Sequence, residues 1–401
     1  MKRLLQHKHI VLGVSGGIAA YKAVELLRLL TKQEAKVRVV MTHNATAFVG
    51  PLTFAALTGQ PASDSLFQGG DEAPIKHIEW AREADAVIIA PATANIIGKI
   101  ANGIADDALS TFIMAVTSPI ILCPSMNTHM FESKAVQRNL EKLRNDGVYI
   151  VAPGEGDLAC GTTGTGRLAE PEEILDRLLA HLTPKDLSGK RVLVSAGPTQ
   201  EAIDPVRFIS NPSSGKMGYA IARAAENRGA DVILVTGPTH LPNPIHVNTI
   251  RVQTTEEMAN AVFTHFDDCH IVIKAAAVSD YRPKDQADQK IKKGQDEITL
   301  TLVKNTDILM ALGKKKKDQI LVGFAAETQD LEKNATKKLK EKNLDIIAAN
   351  LVGRPDSGFE SDTNTVTLFF RNSSKEVLDT MGKDEVAHVL LDRIVSLIHQ
   401  G

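Results

Sequence analysis

In the first half of the chain, three polar turns carry residues able to bind an anion. Ser15, Gly16 and Gly17 end the apolar run of HIVLGVSGG and precede an Ala-rich helical pattern. Unpaired backbone N–H groups and the positive end of a helix dipole at such a place favour a phosphate. The spacing is neither G-x-G-x-x-G nor G-x-x-x-x-G-K-[ST]. PATAN (residues 91–95) and PSMN (residues 124–127) each close a later apolar run. Polar loops at the carboxyl ends of parallel strands converge on the crevice where open α/β sheets bind ligands. His77 stands near the start of an expected helix, where the dipole disfavours the imidazolium; it serves either packing or neutral base chemistry. Cys160 lies in APGEGDLACGTTGTGRLAE (residues 152–170), a stretch with five glycines and no periodicity, expected to be a flap or disordered. A thiol on a mobile loop can deliver a proton or attack an electrophile once closure brings it to the site. Cys123 and Cys269, in or beside apolar runs, read as inert core thiols.

A second set begins in the middle of the chain, at RVLVSAGPTQEAIDPVRFISNPSSGKMGYAIARAAENRG (residues 191–229). Arg207 suits a phosphate or carboxylate and Asn211 a carbonyl or acyl oxygen. Ser213, Ser214 and Gly215 offer phosphate-binding backbone before a helix at Lys216. A phosphate loop of the Walker kind is rejected, because Ser210 occupies its first glycine position. Asp280, just past the run at residues 270–275, is placed like a metal or ribose ligand at a strand's carboxyl end. Lys290, Lys292 and Lys293 on a polar flap (residues 283–297) suit a triphosphate, whereas Lys314 to Lys317 read as a solvated run.

These residues need α/β scaffolds to hold them. Strands are expected at 10–14, 37–41, 86–90, 120–123 and 148–151. Helices are expected near 18–30, 52–57, 76–83, 95–116, 134–145 and 171–182. Near-continuous apolar strands between helices mean a parallel sheet covered on both faces. The rhythm restarts with strands at 192–196, 231–235, 270–275, 298–303 and 345–349. Helices follow at 255–266, 331–343 and 384–399, with a hairpin at 365–378. Two domains are therefore expected, 1–182 and 191–401, joined by a linker at 183–190. With 401 residues, 43% hydrophobic, the chain can bury two cores. A net charge of −2 without a basic stripe argues against nucleic acid. No run approaches a membrane span or a secretory signal, and three scattered cysteines suit a reducing cytoplasm.

SGGIAAYK, HIEWAREADAVIIAPATAN, PSMNTHM and ACG, followed by SAGPTQEAIDPVRFISNPSSGKMG, AAAVSDYRP, KIKK and GFAAET, occur in this order. The ordered set closely resembles the bacterial bifunctional phosphopantothenoylcysteine decarboxylase/phosphopantothenate cysteine ligase family of coenzyme A biosynthesis. The resemblance implies two Rossmann-like parallel-sheet domains, the first flavodoxin-like and FMN-binding, the second a nucleotide-binding ligase. For the first half it implies that the substrate's cysteine moiety passes a hydride to FMN, loses carbon dioxide as a thioaldehyde and takes the hydride back. Gly16, Gly17 and Ile18, with Thr42 and Ala92, Thr93, Ala94 and Asn95, would then hold FMN. His77 would be the base or orienting residue, Asn127 would bind the substrate carboxylate and Cys160 would protonate the enethiolate.

For the second half the resemblance implies that 4'-phosphopantothenate is activated by CTP with Mg2+ or another divalent cation. An acyl-cytidylate forms, and cysteine displaces CMP from it. Lys290 would support acyl-cytidylate formation and Asn211 would hold the intermediate. Arg207 would contact phosphopantothenate, and Asp280 would also serve the metal. Ala275, Asp280, Asn305, Thr306, Asp307, Ile308, Phe324, Lys338 and Lys342 would contact CTP. A homo-oligomer of decarboxylase trimers and ligase dimers, together a dodecamer, is implied too. Departures are small: PATAN for PASAN, PSMNTHMF for PAMN with a following MW, and Thr306 for the usual proline. Two other functions are set against this one. A duplicated nicotinamide dehydrogenase requires the G-x-G-x-x-G fingerprint that both halves lack. A non-catalytic regulatory flavoprotein has no need of both His77 and Cys160.

Overall fold

Apolar runs become buried parallel strands in the computed structural model, which describes residues 4–65, 76–157, 161, 163–292, 299–327, 329–351 and 361–400, without the side chains of residues 76, 77 and 400. The chain divides into a unit of residues 2–183 and one built from residues 184–401. In the first, the elements run β1 (His9–Val14), α1 (Ala20–Lys32), β2 (Lys36–Met41), α2 (Pro51–Thr58), α3 (Lys76–Glu83), β3 (Ala86–Ala92), α4 (Ala94–Ala101), α5 (Ala108–Met114), β4 (Ile120–Pro124), α6 (Thr128–Glu132), α7 (Lys134–Asn145), β5 (Tyr149–Ile150), β6 (Gly154–Asp157), β7 (Thr163–Arg167) and α8 (Pro171–Leu182).

The first five strands form one parallel sheet in the order β2-β1-β3-β4-β5. This is the flavodoxin-like order, whose switch point lies between β1 and β3. Ile10, Leu12, Val14, Ile88 and Ile121 pack on one side of the sheet, and Val11, Val87, Ile89 and Leu122 on the other. The helices expected across 95–116 are α4 and α5. Asp107 starts the second with a reciprocal capping box to Ser110. The glycine-rich stretch, expected as a flap or as disorder, forms among its described residues the antiparallel hairpin β6–β7. Gly166 there has φ +151°, and a Cβ on it would lie 2.2 Å from the Met126 carbonyl oxygen. Only glycine fits where the hairpin crosses the loop after β4.

The second unit continues with β8 (Arg191–Ala196), β9 (Gln200–Ala202), β10 (Phe208–Ser210), α9 (Lys216–Asn227), β11 (Asp231–Thr236), β12 (Asn248–Arg251), α10 (Thr255–Phe266), β13 (Ile271–Lys274), β14 (Tyr281–Pro283), β15 (Leu302–Lys304), α11 (Ile308–Lys315), β16 (Ile320–Glu327), α12 (Leu331–Glu341), β17 (Ile346–Leu351), β18 (Thr363–Asn364), β19 (Thr367–Phe370), β20 (Lys375–Val377), β21 (Met381–Gly382) and α13 (Lys383–Gln400). Its main sheet has the order β12-β11-β8-β13-β16-β17-β19-β20. Counted along the chain, the six parallel strands read 3-2-1-4-5-6, the dinucleotide-fold order, with its switch point between β8 and β13. β19 and β20 add an antiparallel edge.

Strand β16 and helix α11 lie where the sequence suggested no element. Residues 183–190, expected as a linker, pack on the second unit from 184 onward: Leu187 is fully buried and Asp186 pairs with Arg228. Lys316, within the run expected to be solvated, is a buried partner of Asp345. No helix among the described residues is long and apolar enough to cross a membrane.

Candidate active sites

At the carboxyl end of the first sheet lies a cavity of about 960 Å³. Gly16, Gly17 and Ile18 reach it from the turn between β1 and α1, and Thr42 from the end of β2. Thr93, Ala94 and Asn95 come from the turn between β3 and α4, and Asn127 from the turn after β4. Four segments of the sequence thus meet because one sheet edge collects them. Ser15 ties two of the turns together: its Oγ donates to the Pro91 carbonyl oxygen at 2.8 Å and accepts from the Thr93 backbone N–H at 3.0 Å.

Helix α1 begins without a side-chain cap; the Ala20 and Lys22 N–H groups donate to the Gly17 and Ala19 carbonyl oxygens, and the positive end of its dipole lies at this turn. A Cβ on Gly16 would lie 2.6 Å from Asn44 Cβ and 2.9 Å from the Asn44 carbonyl oxygen, so the turn is drawn tight against the loop after β2. Thr42 is 7% exposed, and its Oγ1 is buried without a hydrogen-bond partner, an orphan that a bound cofactor can satisfy.

Asn127 caps α6, its Oδ1 accepting from the His129 N–H at 2.9 Å. Ala92 does not share the cavity surface: it is fully buried as the last residue of β3, and its carbonyl oxygen accepts from the Ser125 N–H at 3.0 Å. His77 falls in the first turn of α3, and its side chain is outside the described residues, as is Cys160. Lys22, Asn44 and Arg167 also line the cavity. Lys22 had a signal in the sequence, since it follows Ile18 by one helical turn. It is 8% exposed and pairs with Glu170 at 2.8 Å.

A second cavity of about 450 Å³ opens at the carboxyl end of the other sheet. Asn211, Ser213, Ser214, Gly215, Ala275, Asp280, Phe324 and Lys338 line it. Gly215 caps α9 in the left-handed conformation at φ +77°, with no side-chain cap, and residues 215–218 bring the start of this helix to the cavity wall. Asn211 is held by its Nδ2, which donates to the Val278 carbonyl oxygen at 2.9 Å.

Under the rim runs a buried polar network. Glu201 accepts from the Thr255 backbone N–H and Oγ1, and Asn305 Nδ2 donates to the Ser279 carbonyl oxygen at 2.9 Å. Asn305 and Asp280 are joined through backbone at 2.8 Å. Asp307 caps α11 and pairs with Lys342 at 2.7 Å, which holds its carboxyl below the usual range against the opposing effect of burial. Thr306 is exposed beside them. The Ile308 side chain is 2% exposed in the hydrophobic core, so only its backbone can serve a ligand.

Neither Arg207 nor Lys290 lines the cavity. Lys290 is exposed, and the Arg207 guanidinium is engaged by Asp204. Asn364 and Lys383, both nearly buried, line it without having been expected. Their sequence setting, a short hairpin and the start of the last helix, carried no chemical signal.

Residues 1–183 match the family model described as Flavoprotein. Residues 187–398 match that of the DNA/pantothenate metabolism flavoprotein C-terminal domain. Over 401 residues the chain is 49% identical to the coenzyme A biosynthesis bifunctional protein CoaBC of Bacillus subtilis, covering 99% of both chains. It is 47% identical over 397 residues to the Escherichia coli protein of that description, covering 98% of each. Among solved structures, the C-terminal domain of a CoaBC protein is 44% identical and covers 54% of this chain and 100% of its own, with a TM-score of 0.48. A PPC decarboxylase mutant complexed with pantothenoylaminoethenethiol is 32% identical and covers 43% of this chain and 97% of its own, with a TM-score of 0.39. With two family models in tandem and full-length relatives near half identity, the chain belongs to the flavoprotein family of bifunctional coenzyme A biosynthesis proteins.

Proposed function

We propose that residues 1–182 carry the FMN-dependent decarboxylation of 4'-phosphopantothenoylcysteine and residues 191–401 the CTP-dependent ligation that makes this substrate from 4'-phosphopantothenate and cysteine. The observation that carries the division is a pair of separate cavities, each at the switch point of its own parallel sheet.

In the first unit, the tight Gly16 turn, the uncapped start of α1 and the orphaned Thr42 hydroxyl fit an FMN phosphate and its ribityl chain. Bound FMN supplies the two-electron sink that lets the carboxylate leave. Asn127 orients that carboxylate, His77 orients or deprotonates the reacting cysteine moiety, and Cys160 returns the proton to the enethiolate.

In the second unit, a carboxylate oxygen of 4'-phosphopantothenate attacks the α-phosphorus of CTP, pyrophosphate leaves, and the amine of cysteine then displaces CMP. A carboxylate acylates poorly, and the mixed anhydride gives it a leaving group. The N–H groups of the α9 turn and Lys338 suit the phosphates, Lys290 offsets charge developing at phosphorus, and Asn211 holds the acyl oxygen. Among the described residues no group of three or more His, Cys, Asp or Glu could hold a metal. A single carboxylate, Asp280, suits Mg2+ carried mainly on the triphosphate. The reading extends to a homo-oligomer in the cytoplasm, with ligase dimers and decarboxylase trimers building a dodecamer.

The test uses purified full-length protein, which is expected to be yellow with FMN. Cys160→Ser is expected to release carbon dioxide and stall at an oxidised aminoenethiol product while pyrophosphate release persists. Loss of ligation with full decarboxylase turnover would reverse the assignment of the two units.

A further inference from the structure

The polar segment that carries Lys290 has no regular secondary structure, and most of its side chains from 284 to 292 are exposed. It is nonetheless held against the central loop. The Ala287 N–H donates to the Ile203 carbonyl oxygen at 3.0 Å. Next to Lys290, the Ile291 N–H donates to Asp204 Oδ2 at 3.1 Å, and the Ile291 carbonyl oxygen accepts from Arg207 Nη2 at 2.9 Å.

Asp204 is 2% exposed. Its Oδ1 accepts from the Val206 and Arg207 backbone N–H groups at 2.8 and 2.9 Å, and its Oδ2 accepts from Arg207 Nε at 2.9 Å and from Arg207 Nη2. The Arg207 guanidinium holds this carboxyl far below the usual carboxylate range. Two backbone contacts to Oδ1 complete an Asx turn without any help from Ile291. The second oxygen and the guanidinium are therefore surplus to the turn, and they are used across 87 and 84 positions on the two backbone groups of one residue.

We propose that Asp204, acting with Arg207, is a positioning residue for ligation: the pair clamps the Ile291 peptide groups and so fixes where Lys290 enters the site. The proposal rests on the role given above to Lys290. It also accounts for the engagement of Arg207, whose guanidinium is oriented by Asp204 before any substrate arrives. A charge-assisted clamp on an otherwise exposed strip of chain limits the lost entropy of the Lys290 side chain to its own rotamers.

The experiment compares full-length wild type with Asp204→Asn, Asp204→Ala and Lys290→Gln. Amide hydrogen exchange is followed over residues 286–292, and the kinetics of pyrophosphate release are measured with varied CTP. Asp204→Ala is expected to speed exchange at Ile291 and to lower kcat by about 100-fold with little change in KM for CTP. Asp204→Asn keeps an acceptor but weakens the grip on Arg207, so it should fall between Ala and wild type in both readouts; it remains informative if the alanine variant fails to fold. Decarboxylation of supplied 4'-phosphopantothenoylcysteine should be unchanged throughout. Faster exchange with an unchanged kcat, or a lost kcat with unchanged exchange, would overturn the clamp. Normal pyrophosphate release by Lys290→Gln would instead overturn the role of Lys290, whatever the exchange data show.

Discussion

At the residue scale, the cavity-lining residues were readable where a glycine or polar residue closed an apolar run. Gly16, Thr42, Asn95 and Asn127 all follow strands and share one cavity. Ala92 and Ile308 were not separable from their neighbours, because a motif names a stretch whereas packing decides residue by residue which side chain is buried. The core thiols were readable: burial raises the Cys123 thiol and pushes the Cys269 thiol up to about 11, so neither is a nucleophile at neutral pH.

Lys274 was not readable at all. It ends a buried strand, and burial lowers its ammonium from the ordinary lysine value to about 8, with Asp307 opposing the shift. The folded chain therefore gives up this proton before the unfolded chain does. The cost to stability is complete below the folded value and is relieved as pH rises toward the unfolded one. Lys274→Met is expected to stabilise the protein by on the order of 3 kcal/mol near neutral pH. The gain should shrink between about pH 8 and pH 10.5. Thermal unfolding near neutrality and near pH 9.5 checks it, and an equal advantage at both would count against the buried charge as the cause.

At the scale of elements, apolar periodicity revealed the strands that are buried on both faces and missed those framed by glycine or polar residues. β16 is ILVGFAAE, with a glycine inside it and a glutamate at its end, and was legible only as a motif. The hairpin β6–β7 was opaque for a related reason: GEGD and TGTGR have no apolar face, and their pairing is fixed by backbone contacts with the loop after β4. That dependence is testable. Gly166→Val puts a branched side chain where the added Cβ would lie 2.2 Å from the Met126 carbonyl oxygen, at a φ of +151°, so the hairpin must shift. Decarboxylation should drop by about 100-fold, since small displacements of catalytic groups carry that cost. Pyrophosphate release should stay within about two-fold of wild type. Equal loss of both activities would mean that the substitution unfolds more than the hairpin.

At the scale of the whole molecule, the sequence showed two α/β starts, and the sheets show two different strand orders, 2-1-3-4-5 and 3-2-1-4-5-6. The halves are thus related in design and distinct in topology, which no count of apolar runs reveals. Each sheet creates its own crevice, so the account requires two active sites whose losses are separable. The most direct test gives 4'-phosphopantothenate, cysteine, CTP and Mg2+ to wild type and to Lys290→Gln, and follows pyrophosphate and carbon dioxide together. Wild type is expected to release both. Lys290→Gln should release neither, yet still yield carbon dioxide at the wild-type rate when 4'-phosphopantothenoylcysteine is supplied. No carbon dioxide from the variant when the intermediate is supplied would contradict the assignment of one reaction to each unit, whereas pyrophosphate at the wild-type rate would remove only the role of Lys290.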